Sequence, residues 1–122
     1  MTATPSPEAF REAKTQGNER LRKGGSFFES FFALDTAAYE PGALPVSVKE
    51  LLGLMVSVMK DCEECVYHHL KRCDEEGVSR NQVLEALQIA LAGAGSVTVP
   101  LLRRAVTFME KLPNLGEGEH EA

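Results

Sequence analysis

Apolar residues recur along this chain at the i, i+3, i+4 spacing of helices, and no stretch alternates apolar and polar residues as a half-buried strand does. The chain is therefore expected to be all-α, a bundle of about six helices. Caps and breakers divide the pattern. A first helix is expected from Pro7 to Lys23, entered through Pro5 and Pro7 and left through Gly24 and Gly25. Phe27, Phe28, Phe31 and Phe32 follow on one side of a second helix, which ends near Tyr39 ahead of Pro41-Gly42. Ser47-Val48-Lys49-Glu50 matches a capping box and opens a third helix. Its run from Leu51 to Met59 is apolar on nearly every side, so neighbours should bury it all round. A fourth helix is expected from Cys62 to Glu76, stopped by Gly77, and Ser79-Arg80-Asn81-Gln82 is a second capping box that opens a fifth. The last covers Val97 to Leu112, with Pro100 tolerated in its first turn.

A length of 122 residues suits one domain. Within it, residues 1–40 are expected to be helices packing on the core and on neighbouring subunits, 41–112 the core itself, and 113–122 a flexible acidic tail. Thirteen Lys and Arg against eighteen Asp and Glu leave a net charge of −5, so neither nucleic acid nor an anionic membrane surface is an expected partner. The longest nearly apolar run, Leu51 to Met59, falls far short of the roughly 20 residues that span a bilayer. Met1 to Pro7 has neither the charged nor the apolar region of a signal peptide, and a cytoplasmic protein is expected. Four clustered phenylalanines and a helix apolar all round exceed what so small a fold can bury, which predicts a dimer-based homo-oligomer.

Three cysteines are too few, and odd in number, for a disulfide scaffold, yet two of them form Cys62-Glu63-Glu64-Cys65. Eleven residues separate Glu50 from Cys62, two separate Cys62 from Cys65 and three separate Cys65 from His69. At the helical rotation per residue, Cys62, Cys65 and His69 fall within about 60° of one another and can share one pocket. Backbone N–H groups and the macrodipole at a helix start favour thiolate over thiol, and thiolate is the nucleophile. A second cysteine three residues away can close a disulfide once the first is oxidised, with His69 moving the proton and Glu50 orienting His69.

Each residue also has a structural reading. Glu50 is explained as the last residue of the capping box, and His69 as a satisfied structural histidine. His68 points about 100° away and is expected at the surface or partly buried, outside the site. Cys73 lies about 16 Å from Cys62 along the axis and reads as core packing. Zinc is the chemical rival, since CxxC plus His supplies three ligands, but no fourth is within reach and no metal or other cofactor is expected.

Glu50, Cys62, Cys65 and His69 at these spacings resemble the signature of the carboxymuconolactone decarboxylase superfamily, specifically its alkylhydroperoxidase D-like (AhpD-like) branch. The similarity takes in Pro41-Gly42-Ala43-Leu44, Val48-Lys49-Glu50-Leu51-Leu52, Glu85-Ala86-Leu87 and Ala92-Gly93-Ala94-Gly95, roughly Leu34 to Met109. It implies an AhpD-like helical bundle, oligomers up to hexamers, and thiol-dependent reduction of peroxides by a dithiol electron donor without a bound cofactor. By position, Cys65 would be the peroxidatic thiol, Cys62 its resolving partner, and His69 with Glu50 the proton relay. Efficient members of that branch place a histidine immediately before the second cysteine; here it is Glu64, an acid that disfavours a neighbouring thiolate. Two other functions stay open: a non-catalytic oligomeric module that senses redox state, and a lactone-processing decarboxylase.

Overall fold

Short polar side chains and prolines set where the helices begin. In the computed structural model, which describes residues 3–116, Ser6 Oγ accepts from the Ala9 amide at 3.1 Å and Pro7 opens α1 (Pro7–Arg22). The short hinge Lys23-Gly24-Gly25 leads into α2 (Ser26–Ala38). The Lys49 ammonium then gathers the carbonyls of Ala38 and Glu40, at 3.0 and 2.6 Å, around the chain leaving α2. The expected capping box at Ser47 does not form. Pro45 takes the N-cap position in extended backbone, and α3 (Val46–Met59) starts two residues earlier than a Ser47 cap would set it, with no side-chain cap. Glu50 therefore lies beyond the first turn and turns inward, which removes its reading as a cap.

Between α3 and α4 (Glu63–Glu75), Asp61 adopts a left-handed φ of 57°, which its short side chain tolerates. The Cys62 amide donates back to Ser57 O at 3.0 Å, so the first cysteine is tied to the last turn of α3. The second capping box does form, with Ser79 Oγ accepting from the Gln82 amide at 3.1 Å and Gln82 Oε1 from the Ser79 amide at 2.9 Å, opening α5 (Arg80–Ala94). A 3-10 turn (Ser96–Thr98) leads into α6 (Val99–Met109), with Pro100 in its first turn. The fold is all-α, with six α-helices among the described residues.

Helix α3 packs on α4 and α5, α4 packs on α6, and α1 lies against both α2 and α4. Phe10 carries α1 into the core, where it meets Tyr67 and Phe108 edge-on at 5.6 and 5.8 Å between ring centroids. Tyr67 and Phe108 stack at 4.4 Å. Within the chain, α3 buries one face only, that of Glu50, Gly53, Leu54, Ser57 and Val58, while Leu52, Val56 and Met59 are exposed. The expectation of all-round burial fails at this level, because the two helices packed on α3 cover a single stripe of it. No residue of α2 is fully buried; Phe27, Phe28 and Phe31 face outward, and Phe32 lies under the Arg22 guanidinium at 4.8 Å.

Residues 113–116 do not form the frayed segment expected of them. The carboxylate of Asp74 accepts from the amides of Asn114 and Leu115 at 2.9 and 2.7 Å, and Leu112 and Leu115 are buried in the core. The rest of the expected acidic tail, 117–122, lies outside the described residues. No helix among the described residues is long and apolar enough to cross a membrane.

Candidate active site

The site is built where the inward face of α3 meets the first turns of α4. Glu50, 1% exposed, places Oε1 2.8 Å from His69 Nδ1, and its Oε2 lies 3.5 Å from Arg72 Nε. A carboxylate so deeply buried requires such partners, and it has one for each oxygen. Because the carboxylate only accepts, His69 donates from Nδ1, and its Nε2 carries the free lone pair. Tyr39, just past α2, puts its hydroxyl 3.4 Å from that Nε2, with the rings 5.1 Å apart. Burial, then the nearby Glu50 and Asp35 charges, raise the Tyr39 pKa, so the phenol keeps its proton.

Gly53 makes this approach possible. A Cβ there would lie 2.5 Å from the Tyr39 hydroxyl and 2.6 Å from His69 Cε1, distances no side chain can occupy. A glycine inside an apolar helical run costs helix stability, which was the one sign in the sequence that something passes close to it. Tyr39 and Arg72 gave no comparable signal, since their roles depend on contacts between elements distant in sequence.

Cys62 and Cys65 are joined as a disulfide, with Cα atoms 5.3 Å apart. Cys62 is the N-cap of α4, and its sulfur accepts from the Cys65 amide at 3.3 Å. Both are partly exposed, while Cys73 is a free thiol deep in the core, its pKa pushed up to about 12 chiefly by burial. An open cleft of about 620 Å³ spreads above the pair of helices, lined by Glu50, Gly53, Cys65, His69 and Tyr39 and walled by Phe31, Phe32 and Val56. All four residues singled out by spacing thus meet at one place, with Cys65 rather than Cys62 on the cleft wall.

His68 is not the outlying residue expected from its angle. It lines the same cleft, packs against His69 at 4.9 Å between centroids, and accepts at Nδ1 from the Lys14 ammonium at 3.0 Å. The cleft is wide enough to take side chains from both flanks of the Cys65 face, so a 100° separation does not divide them. Among the described residues, no group of three or more His, Cys, Asp and Glu is placed to hold a metal ion.

The sequence model of the carboxymuconolactone decarboxylase family matches residues 25–110, most of the chain. The chain belongs to that family. A carboxymuconolactone decarboxylase family protein of Thermotoga maritima, described as a candidate for the antioxidative response, has the same fold with a TM-score of 0.82 and 46% identity over 85% of this chain and 89% of its own. Another family member, from Legionella pneumophila, shares the fold alone, with a TM-score of 0.75 and 23% identity over 88% of this chain and 97% of its own. The family's AhpD-like branch is represented by alkyl hydroperoxide reductase AhpD of Mycobacteroides abscessus, 46% identical in a 57-residue match that covers 43% of this chain and 33% of that protein. An uncharacterized protein of the cox locus of Paracoccus denitrificans is 26% identical over 77% of this chain and 85% of its own length.

Proposed function

We propose that the chain is an AhpD-type thiol peroxidase, whose Cys65 reduces peroxides and whose Cys62 closes the resulting disulfide. The observation that carries this reading is the Cys62–Cys65 disulfide at the start of α4, with Cys65 on the cleft wall and the Glu50–His69 pair one turn below it. The likeness to an alkyl hydroperoxide reductase over the 57 matched residues supports the same chemistry.

In the reduced chain, His69 Nε2 takes the Cys65 thiol proton while Glu50 holds the ring and balances its charge. The Cys65 sulfur attacks the outer oxygen of the peroxide, the O–O bond breaks, the sulfur becomes a sulfenic acid, and the departing alkoxide or hydroxide takes a proton from the solvated cleft to leave as alcohol or water. The Cys62 thiolate then attacks the Cys65 sulfur, an S–S bond forms, and the sulfenic oxygen leaves as water with the proton stored on His69. A small dithiol or dithiol protein reduces the disulfide by exchange and returns both thiols. Tyr39, hydrogen-bonded to His69 Nε2 in the oxidised chain, occupies the lone pair that the Cys65 thiol needs after reduction.

The test is turnover. Reduced protein with excess alkyl hydroperoxide and a dithiol should consume peroxide catalytically, and Cys65→Ser should abolish it. A chain that forms the Cys62–Cys65 disulfide but does not turn over is a redox sensor. One that does neither, but acts on a γ-lactone, is a decarboxylase-type enzyme.

A further inference from the structure

The Glu50–His69 pair accounts for the proton of the attacking thiol, but cleavage of a peroxide also creates an oxyanion that must be protonated, and a second hydrogen-bonded pair lines the same cleft. Lys14 stands on α1, outside the residues 25–110 that match the family. Its Nζ lies 3.0 Å from His68 Nδ1, and both residues line the cleft with Cys65. His68 follows Cys65 by three residues on α4, one of the two spacings that make side chains neighbours on a helix. An ammonium can only donate, so His68 accepts at Nδ1 and carries its own proton on Nε2. The environment keeps the ring neutral: burial, then Lys14 and His69, hold the His68 pKa down at about 3. Burial also lowers the Lys14 pKa, against the opposing pull of Asp35 on α2 and Glu64 on α4, with Lys71 and Arg22 adding to the burial effect. Lys14 thus gives up a proton more readily than a lysine on open surface.

We propose that His68 is the proton donor to the oxygen leaving a peroxide cleaved by Cys65, and that Lys14 positions and recharges it. The proposal rests on the peroxidase reading. As the Cys65 thiolate bonds to the outer oxygen, the O–O bond breaks and its electron pair stays on the inner oxygen. That oxygen takes the Nε2 proton of His68 while Nδ1 takes one from Lys14. The products are the Cys65 sulfenic acid, an alcohol and a neutral Lys14 amine, which solvent reprotonates. Sulfur loses two electrons and the two peroxide oxygens gain one each, so the step balances. His68 and Lys14 work on the leaving oxygen, whereas Glu50 and His69 work on the thiol.

The leaving group separates these roles. Iodide and acetate leave without a proton, whereas tert-butoxide needs one. The reduced chain and its Lys14→Gln, Lys14→Arg and His68→Gln variants are each mixed in single turnover with iodoacetamide, peracetic acid and tert-butyl hydroperoxide, and Cys65 modification is followed by mass. The expected result is a loss of about 10²-fold with tert-butyl hydroperoxide in Lys14→Gln and His68→Gln. Rates with iodoacetamide and peracetic acid should stay near those of the unsubstituted chain, which also shows that the site is folded. Lys14→Arg, which can still donate a hydrogen bond to Nδ1 but holds its proton too tightly to pass it on, should lose the tert-butyl hydroperoxide rate nearly as fully as Lys14→Gln. An equal loss with all three reagents, or no loss with the hydroperoxide, overturns the proposal while leaving the peroxidase reading in place. An unsubstituted chain that is alkylated but reacts with neither peroxide overturns both.

Discussion

Glu50 offers two oxygens to two partners from α4, His69 and Arg72, and this small circuit decides what the neighbouring cysteine can do. His69→Ala should lower the rate at which Cys65 is alkylated at neutral pH by about 10²-fold or more, the ordinary contribution of a general base. Glu50→Gln should lower it less, because the amide oxygen can still accept from Nδ1. Unchanged alkylation in both variants would reduce the pair to a structural hydrogen bond. Gly53→Ala should act on the same readout by direct crowding, since its methyl displaces Tyr39 and His69, and an ångström of misplacement at a reacting pair costs about 10²-fold. His68 makes a separate prediction about stability. Its folded-state pKa is pulled down to about 3 from 6.5, so between those values the unfolded chain binds more protons than the folded one. Stability is full above pH 6.5 and falls as the pH drops through this window. Urea melts at pH 7 and pH 5 should show a smaller loss for His68→Gln than for the unsubstituted chain. The cysteines, His69 and Glu50 were legible in the sequence because helical rotation alone places three of them together and a fixed helix pair brings the fourth. Lys14, Tyr39 and Arg72 were not, because only the packing of α1, α2 and α4 brings them in.

At the scale of the elements, the boundaries decide the chemistry. The sequence pattern located all six helices, but the N-cap of α3 moved by two residues, as Pro45 proved a better N-cap backbone than Ser47 a capping side chain. That shift turned a supposed cap into the buried partner of His69. The N-terminal turn of α4 predicts the redox pairing: mild oxidation should join Cys62 to Cys65 and leave Cys73 reduced, since burial holds the Cys73 thiol at a pKa of about 12. Peptide mapping checks this, and a dominant Cys73 disulfide would contradict it. The far end of α4 carries the Asp74 clamp on Asn114 and Leu115. Asp74→Ala strands two backbone amides and should destabilise the fold by about 2–4 kcal/mol, measured by urea unfolding, with cysteine reactivity at the other end unchanged. The composition of residues 113–116 gave no sign of this clamp, because it depends on a carboxylate some 40 residues earlier.

For the molecule as a whole, large apolar side chains from several helices stay on the surface of the single chain. Phe27 and Val97 are each 79% exposed, Leu34 is 71% exposed, and Val56 and Met59 on α3 are exposed as well. The expected outcome is a homo-oligomer built from dimers, with light scattering giving a mass several times 13.3 kDa that persists on dilution to micromolar protein. A stable monomer would contradict it. Phe31, Phe32 and Val56 also wall the cleft, so Phe31→Ser should weaken both assembly and turnover. The central claim, that Cys65 attacks the peroxide and Cys62 resolves it, is tested most directly by trapping the intermediate. Reduced Cys62→Ser protein is treated with one equivalent of alkyl hydroperoxide in the presence of dimedone, and the labelled residue is located by mass spectrometry. The account predicts a sulfenic-acid adduct on Cys65 alone and one equivalent of peroxide consumed; an adduct confined to Cys73, or peroxide left intact beside an unmodified Cys65, would contradict it.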